Sequence, residues 1–355
     1  MVSLVTKQQT LRVVDPTISP EWAALVASRP STLFHSPDWM KVVRDTYNLP
    51  LYACILEQDR QSIAGIPWGR INDLLGPRRV TMPFSDVCNP LASSQAEADL
   101  LADFVIRQGN PWTLCTPTRS LPNVAAPVAQ QTHFKWQGID LTQPKDTLWR
   151  HLRPSAQHNV RLAQRNSLKV QEAVDKSQLR EWYFLLLRLR REKYGLLTQP
   201  YSFFENLWDT FVKKGAGFLL LATYHDRPVA GALSLLWKDV YYYKFSASNR
   251  AYLHLRPNDL LMWEGILAAK NHGSSFLDLG RSSVEQEGLI AFKRGFGVTF
   301  EEDIVSVTYS TNSVESEYRK QARQLLRELT GLFATDRFPE SMAEKAGALL
   351  YRFYV

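Results

Sequence analysis

The chain has 355 residues, 45% of them hydrophobic and 22% charged, with a formal net charge of +7. That composition excludes a disordered or collagen-like chain, and the length suits two domains of ordinary size. The charge is local: residues 150–194 hold 11 Lys and Arg against 4 Asp and Glu, and the remaining 31 of each sign balance.

In chain order, Ser36–Tyr47 is predicted as an aromatic-rich helix, with Trp39, Val42 and Val43 at helical spacing. Residues 51–70 read as two apolar runs around a polar turn at Asp59-Arg60, a hairpin pattern whose second run opens Ile63-Ala64-Gly65. Ala96–Gln108 is a helix stopped by Gly109, and Trp112–Thr116 is a strand. Gln143–Asn166 is helical, with Pro154 suited to a first turn, where its missing N–H costs nothing. His158, Arg161 and Arg165 fall on one face there, flanked by Arg153 and Lys169. The next helix ends in Arg188, Arg190, Arg191 and Lys193, and its Trp182, Tyr183 and Phe184 read as core. Ser202–Val212 is a second aromatic-rich helix, carrying Phe204, Leu207 and Trp208. Residues 218–237 form a second hairpin with Asp226-Arg227 at its turn and Val229-Ala230-Gly231 opening its second run. A strand follows at Val240–Ser246, where Tyr241 and Tyr243 share a face. Then come the helix Asn258–His272, Gly273 and the strand Phe276–Leu279. Two final helices, Val314–Thr330 and Pro339–Tyr351, are expected to pack on the second domain.

Helix, strand, strand, loop, helix and strand therefore occur twice, offset by 160–167 residues. The expectation is a mixed α/β fold of two related domains, 1–142 and 143–312, followed by a helical extension over 313–355. The longest apolar run, Val229–Trp237, is far short of the ~18 residues of a membrane helix, and the N-terminus has no signal-peptide design. Three widely spaced cysteines, Cys54, Cys88 and Cys115, argue against a disulfide framework and fit a reducing cytoplasm. HExxH, CxxC, the P-loop and the GxSxG elbow are all absent, so no metal, nucleotide or hydrolase motif is visible. Gly295-Phe296-Gly297 is a fragment of a dinucleotide fingerprint, with Phe300 in place of the third glycine.

Several motifs resemble, in order, the FemABX-like branch of the GNAT acyltransferase superfamily. They are Phe34-His35-Ser36-Pro37-Asp38-Trp39, Met82-Pro83-Phe84-Ser85-Asp86, Asn89-Pro90-Leu91, and His151-Leu152-Arg153 with Arg161 and Ala163. Arg256-Pro257-Asn258-Asp259-Leu260-Leu261 follows. The sharpest pair is Phe276-Leu277-Asp278-Leu279-Gly280-Arg281-Ser282 and then Gly288-Leu289, Phe292-Lys293-Arg294 and Phe296-Gly297. The resemblance covers residues 30–310 and implies two tandem GNAT-like domains. It implies an N-acyltransferase that moves an acyl or aminoacyl group from an activated carrier onto an amine of a cell-envelope glycan or peptidoglycan-type precursor. Attack would be direct, in a ternary complex, with no resident metal or cofactor, and no Cys or Ser has a recognisable activating partner.

The resemblance puts the donor cleft between Val240–Ser246 and Phe276–Leu279, where the two strands should splay. Lys293 would stabilise charge on the reacting acyl group, flanked by Phe292 and Arg294; its plain reading is a cation at an exposed helix end. Asp86, in the first domain, would handle the amine proton, or cap its own loop as an Asx turn. Asp278 lies beside the cleft and Arg281 and Ser282 at its mouth, although Asp278 and Arg281 can simply pair. Tyr243 would present a hydroxyl to the acyl carbonyl, or belong to the core. One departure bears on the donor: the stretch Ser248–Pro257, where CoA-using relatives have a glycine turn for pyrophosphate, contains no glycine. That weighs against acyl-CoA and toward aminoacyl-tRNA or an acyl carrier protein. Arg153, Arg161, Arg165, Arg190 and Arg191 are expected to hold a phosphate-bearing donor or acceptor, whether tRNA, carrier protein or a nucleotide- or lipid-linked sugar, or to meet an anionic membrane surface. The alternatives are the same fold N-acylating an amino sugar from acyl-CoA or an acyl carrier protein, and a catalytically silent scaffold for an anionic partner.

Overall fold

The computed structural model describes residues 9–109, 111–310, 317–335 and 337–354. Among these residues the contacts divide into two units: those up to 133 with those between 303 and 320, and those between 134 and 302 with those between 321 and 354. These limits differ from the expected boundaries at 142/143 and 312/313: the chain changes unit inside two strands and once inside a helix rather than in linkers.

The first unit contains β1 (Gln9–Val14), α1 (Pro20–Ser28), α2 (Pro37–Tyr47), β2 (Leu51–Gln58), β3 (Gln61–Asp73), β4 (Gly76–Val80), α3 (Gln95–Arg107) and β5 (Trp112–Pro117). The chain continues through β6 (Val128–Asp140), α4 (Lys145–His151), α5 (Pro154–Arg165), β7 (Lys169–Glu172), α6 (Lys176–Tyr194), α7 (Tyr201–Thr210), β8 (Gly217–Tyr224), β9 (Arg227–Trp237) and β10 (Val240–Ser248). It ends with α8 (Pro257–Asn271), β11 (Phe276–Ser283), α9 (Glu287–Arg294), β12 (Phe300–Tyr309), α10 (Glu317–Phe333) and α11 (Glu340–Leu350). Val314, the predicted start of the first C-terminal helix, lies outside the described residues.

The duplication is structural. The hairpins β2–β3 and β8–β9 both close on two residues in the left-handed region, Asp59-Arg60 and His225-Asp226. The second turn therefore starts one residue earlier than the Asp-Arg match suggests. Each hairpin carries a register shift at the same place, opposite Ile63 and Val229. Two residues on, each has a glycine under a helical tryptophan: a Cβ on Gly65 would lie 2.9 Å from Trp22 of α1, and one on Gly231 would lie 2.6 Å from Trp182 of α6. Only glycine fits such an approach.

Within the first unit the strand order is β1-β2-β3-β4-β5-β12, and within the second it is β6-β11-β10-β9-β8-β7. In both, the fourth and fifth strands of the repeat run parallel, joined by the helix between them: Arg79↔Trp112 in the first, Val240↔Phe276 in the second. The sixth strands are exchanged. β12 pairs antiparallel with β5 over Ile304–Tyr309, and β6 pairs antiparallel with β11.

α3 covers one face of the first sheet, burying Leu101, Ala102 and Val105 against Trp68, Trp112 and Leu114. In the second unit, α5 and α8 bury Val160, Ala163, Trp263 and Ile266 against Tyr241, Leu277 and Leu279. α6 and α7 cover the opposite face. Arg180 of α6 lies over the rings of Phe184 and Tyr201 and donates twice to Glu344 of α11 at 2.6 Å. Gly347 of α11 packs so closely that a Cβ would stand 2.6 Å from the Thr198 carbonyl. The C-terminal helices are thus fastened to α6.

Candidate functional site

β10 and β11 pair for only three residues, Val240↔Phe276, Tyr241↔Leu277 and Tyr242↔Asp278, although both strands continue. Each is irregular where the pairing stops. β10 shifts register against β9 between Tyr243 and Phe245, and β11 shifts against β6 between Asp278 and Arg281. The two bulges let the strands part at their C-terminal halves. Gly280, at φ 68, forms the β11 bulge in a conformation that suits glycine.

Asp278 and Lys293 both grip this bulge. Asp278, 4% exposed, accepts from the Gly280 N–H at 2.6 Å and from the indole N–H of Trp136 at 3.0 Å. Lys293, in the last turn of α9 and 6% exposed, donates from Nζ to the Gly280 carbonyl at 3.0 Å and to Ser282 Oγ at 2.7 Å. A carboxylate on the N–H and an ammonium on the C=O hold the peptide groups on both sides of Gly280 at the point of parting. The buried ammonium also concentrates positive potential there, where low polarity strengthens its field.

The remaining candidates divide. Arg281 stands over the Phe134 ring at 4.3 Å. Phe292 packs into the second-unit core and against Phe296. Tyr243 lies against Gly265 of α8, and burial holds its phenol above the ordinary range. Arg294 is committed to Glu301, with bonds of 2.9 and 2.6 Å, and Glu301 in turn accepts from Gln137 at 3.0 Å. The Arg294 side chain is nonetheless 49% exposed. A cleft of about 430 Å³ runs along the outer face of α9, lined by Lys135, Val284, Glu287, Ile290, Ala291 and Arg294; Lys293 lies outside that lining.

The basic segment splits in two. On α6, Arg191 is buried and donates to the carbonyls of Thr335 and Phe338, Arg188 pairs with Glu340, and Arg190 reaches the Tyr351 hydroxyl at 3.5 Å. Arg191, expected to hold phosphate, instead fixes the loop between α10 and α11, and Arg190 faces the same extension. On α5, by contrast, Arg153, His158, Arg161 and Arg165 are exposed, and among the described residues none has a carboxylate partner. Arg161 lies over Trp149 at 5.2 Å.

The glycine-free stretch before α8 is a short 3-10 turn over Arg250–Leu255, followed by Arg256 at φ 64. The first turn of α8 holds its own carboxylate, Asp259, which accepts from Asn159 of α5 at 3.1 Å.

Asp86 belongs to the first unit, in the loop between β4 and α3, half-buried. Trp136, which orients Asp278, was not foreseen. β6 shows little apolar alternation, and only the pairing with β11 brings its indole to the bulge.

Residues 153–294 match the acetyltransferase (GNAT) domain family. Among solved structures, the chain is similar to FemX, at 14% identity over 90% of this chain and all of that one, with a TM-score of 0.59. It is similar to L-PGS from Bacillus licheniformis, at 11% identity over 89% of this chain and 98% of that one, with a TM-score of 0.51. A tandem GNAT protein from the clavulanic acid biosynthesis pathway gives 10% identity over 87% of this chain and all of that one, with a TM-score of 0.50. A search of curated protein sequences finds no match.

Proposed function

We propose that the protein is an N-acyltransferase of cell-envelope biosynthesis, on the premise that residues 153–294 match the acetyltransferase (GNAT) domain family and the fold is similar to that of FemX. It would move an aminoacyl or acyl group onto an amine of a glycan or peptidoglycan-type precursor. The observation that carries this reading is the parting of β10 from β11 at a bulge gripped by Asp278 and Lys293. The donor acyl group would enter at that opening. As the amine attacks, the carbonyl oxygen gains negative charge, which the Lys293 ammonium would stabilise; when the carbonyl re-forms, the acyl–carrier bond breaks and the carrier hydroxyl or thiol leaves with a proton from water. Asp278 keeps the backbone of Gly280, and through its carbonyl Lys293, in place. For Asp86 the proposed role is acceptance of the amine proton in the acceptor-binding unit.

The donor we favour is aminoacyl-tRNA. The unpaired cations of α5 suit a polyphosphate backbone. A CoA pyrophosphate, by contrast, would meet a glycine-free turn and the Asp259 carboxylate at the α8 terminus. An acyl carrier protein is the second macromolecular carrier consistent with the same face. Among the described residues no helix is long and apolar enough to cross a membrane.

The test is transfer of a radiolabelled aminoacyl group to lipid- or nucleotide-linked precursors in a lysate, with and without RNase. RNase should abolish transfer, and raising salt should weaken it steeply. Transfer that survives RNase and is supported by acyl-CoA would overturn the donor assignment. Lys293→Met, which keeps the chain length and removes the charge, should lower kcat about 100-fold or more in a folded protein. Unchanged cellular function of that variant would favour a silent scaffold.

A further inference from the structure

The loop that carries Asp86 has a backbone that side chains rarely adopt. Met82 has φ 48 and Phe84 has φ 60; neither is glycine, and Met82 precedes a proline. Such residues persist only where their surroundings over-determine them, and they cluster at functional segments. Here the surroundings can be named. Pro83 occupies the space a Cβ on Gly69 would need, 2.7 Å away, and Phe84 stacks on Tyr47 at 4.1 Å. The indole N–H of Trp39 donates to Ser85 Oγ at 3.1 Å. Beyond Asp86, the Thr32 hydroxyl donates to the Val87 carbonyl at 3.0 Å, and His35 Nε2 meets the Asn89 carbonyl at 2.8 Å.

His35 is fully buried in the 3-10 turn Leu33–His35 that precedes α2. A carbonyl can only accept, so Nε2 carries the ring proton. Nδ1 is then the acceptor for the Thr32 backbone N–H at 3.1 Å. The imidazole therefore joins the 3-10 turn to the loop with both nitrogens engaged.

We propose that His35 is a positioning residue: its imidazole latches the Val87–Asn89 end of the loop and so fixes the Asp86 carboxylate before the acceptor arrives. Asp86 stands between two anchored neighbours, Ser85 held by Trp39 and Val87 held by Thr32. This rests on the reading of Asp86 as the group that takes the amine proton.

Hydrogen exchange on the full chain tests the latch without a known substrate. His35→Asn retains an acceptor near the Nδ1 position and loses the donor to Asn89. His35→Gln retains a donor near Nε2. The amides of residues 85–89 should exchange about tenfold faster in His35→Asn and close to the wild-type rate in His35→Gln, with α1 and β2 unchanged in both. Thr32→Val keeps the backbone N–H that meets Nδ1 and removes the hydroxyl, which lies 3.0 Å from both the Val87 carbonyl and Nδ1, and should accelerate the same amides. In the transfer assay, His35→Asn should lower kcat with the donor KM unchanged, and His35→Gln should restore it. Wild-type exchange of the loop in His35→Asn would overturn the proposal, as would acceleration spread evenly through the first unit in both variants. If Asp86→Asn keeps full transfer while His35→Asn still frees the loop, the latch stands and the role given to Asp86 fails.

Discussion

Gly280 is held at both ends of its own residue, by Asp278 at its N–H and by Lys293 at its carbonyl. Asp259 shows a different balance. Burial, the largest effect, raises its carboxyl above the ordinary aspartate range, opposed by the Asn159 amide and by Arg256. The proton is thus favoured in the folded state. The stability it confers is fully present below the ordinary value of 3.8 and is lost as pH rises through the raised one. Asp259→Asn keeps an acceptor for Asn159 and has no charge to desolvate. Its Tm should exceed the wild-type value at pH 7, and the difference should shrink to nothing in acid below the ordinary value; a pH series of thermal melts checks this. Much at this scale was legible in the sequence: Asp278, Gly280, Ser282 and Lys293 were singled out by motif. Their convergence on Gly280 was not, because it depends on a bulge and on Trp136, 142 residues away from the Asp278 it orients.

Among the elements, α5 and α6 show why a charge run is ambiguous. One run of arginines spans both, yet α6 directs its own toward the C-terminal helices while α5 leaves its own in solvent. The partners that decide this, Glu340 and Glu344, lie more than 150 residues downstream, so no local pattern announces them. The two helices should respond differently to substitution. Arg180→Ala removes a bidentate pair and the cation over several rings, and should cost about 2–3 kcal/mol in a denaturant titration. Arg161→Glu with Arg165→Glu should leave that titration nearly unchanged and weaken binding of the anionic partner at low salt, with the effect fading as salt rises. The helices and hairpins of both repeats were readable from period and turn residues. β6 and β12 were not, because their partners belong to the other half of the sequence.

Over the whole molecule, the exchange of sixth strands means that neither half of the sequence holds a complete sheet. A chain cut between residues 142 and 143 leaves β5 without β12 and β11 without β6. Each piece expressed alone should be insoluble, through its open strand edge, whereas the two expressed together should form a soluble complex; size-exclusion chromatography distinguishes these outcomes.

The same exchange sets a timetable during synthesis. Thr113 of β5 and Thr308 of β12 bond side by side but are 195 residues apart in sequence. At roughly 5–20 residues per second, β5 leaves the ribosome roughly 10–40 s before the strand that covers its edge. For that interval the nascent first unit exposes an unpaired apolar strand, and a chaperone that shields strand edges would have the most to protect while residues 118–300 are being translated.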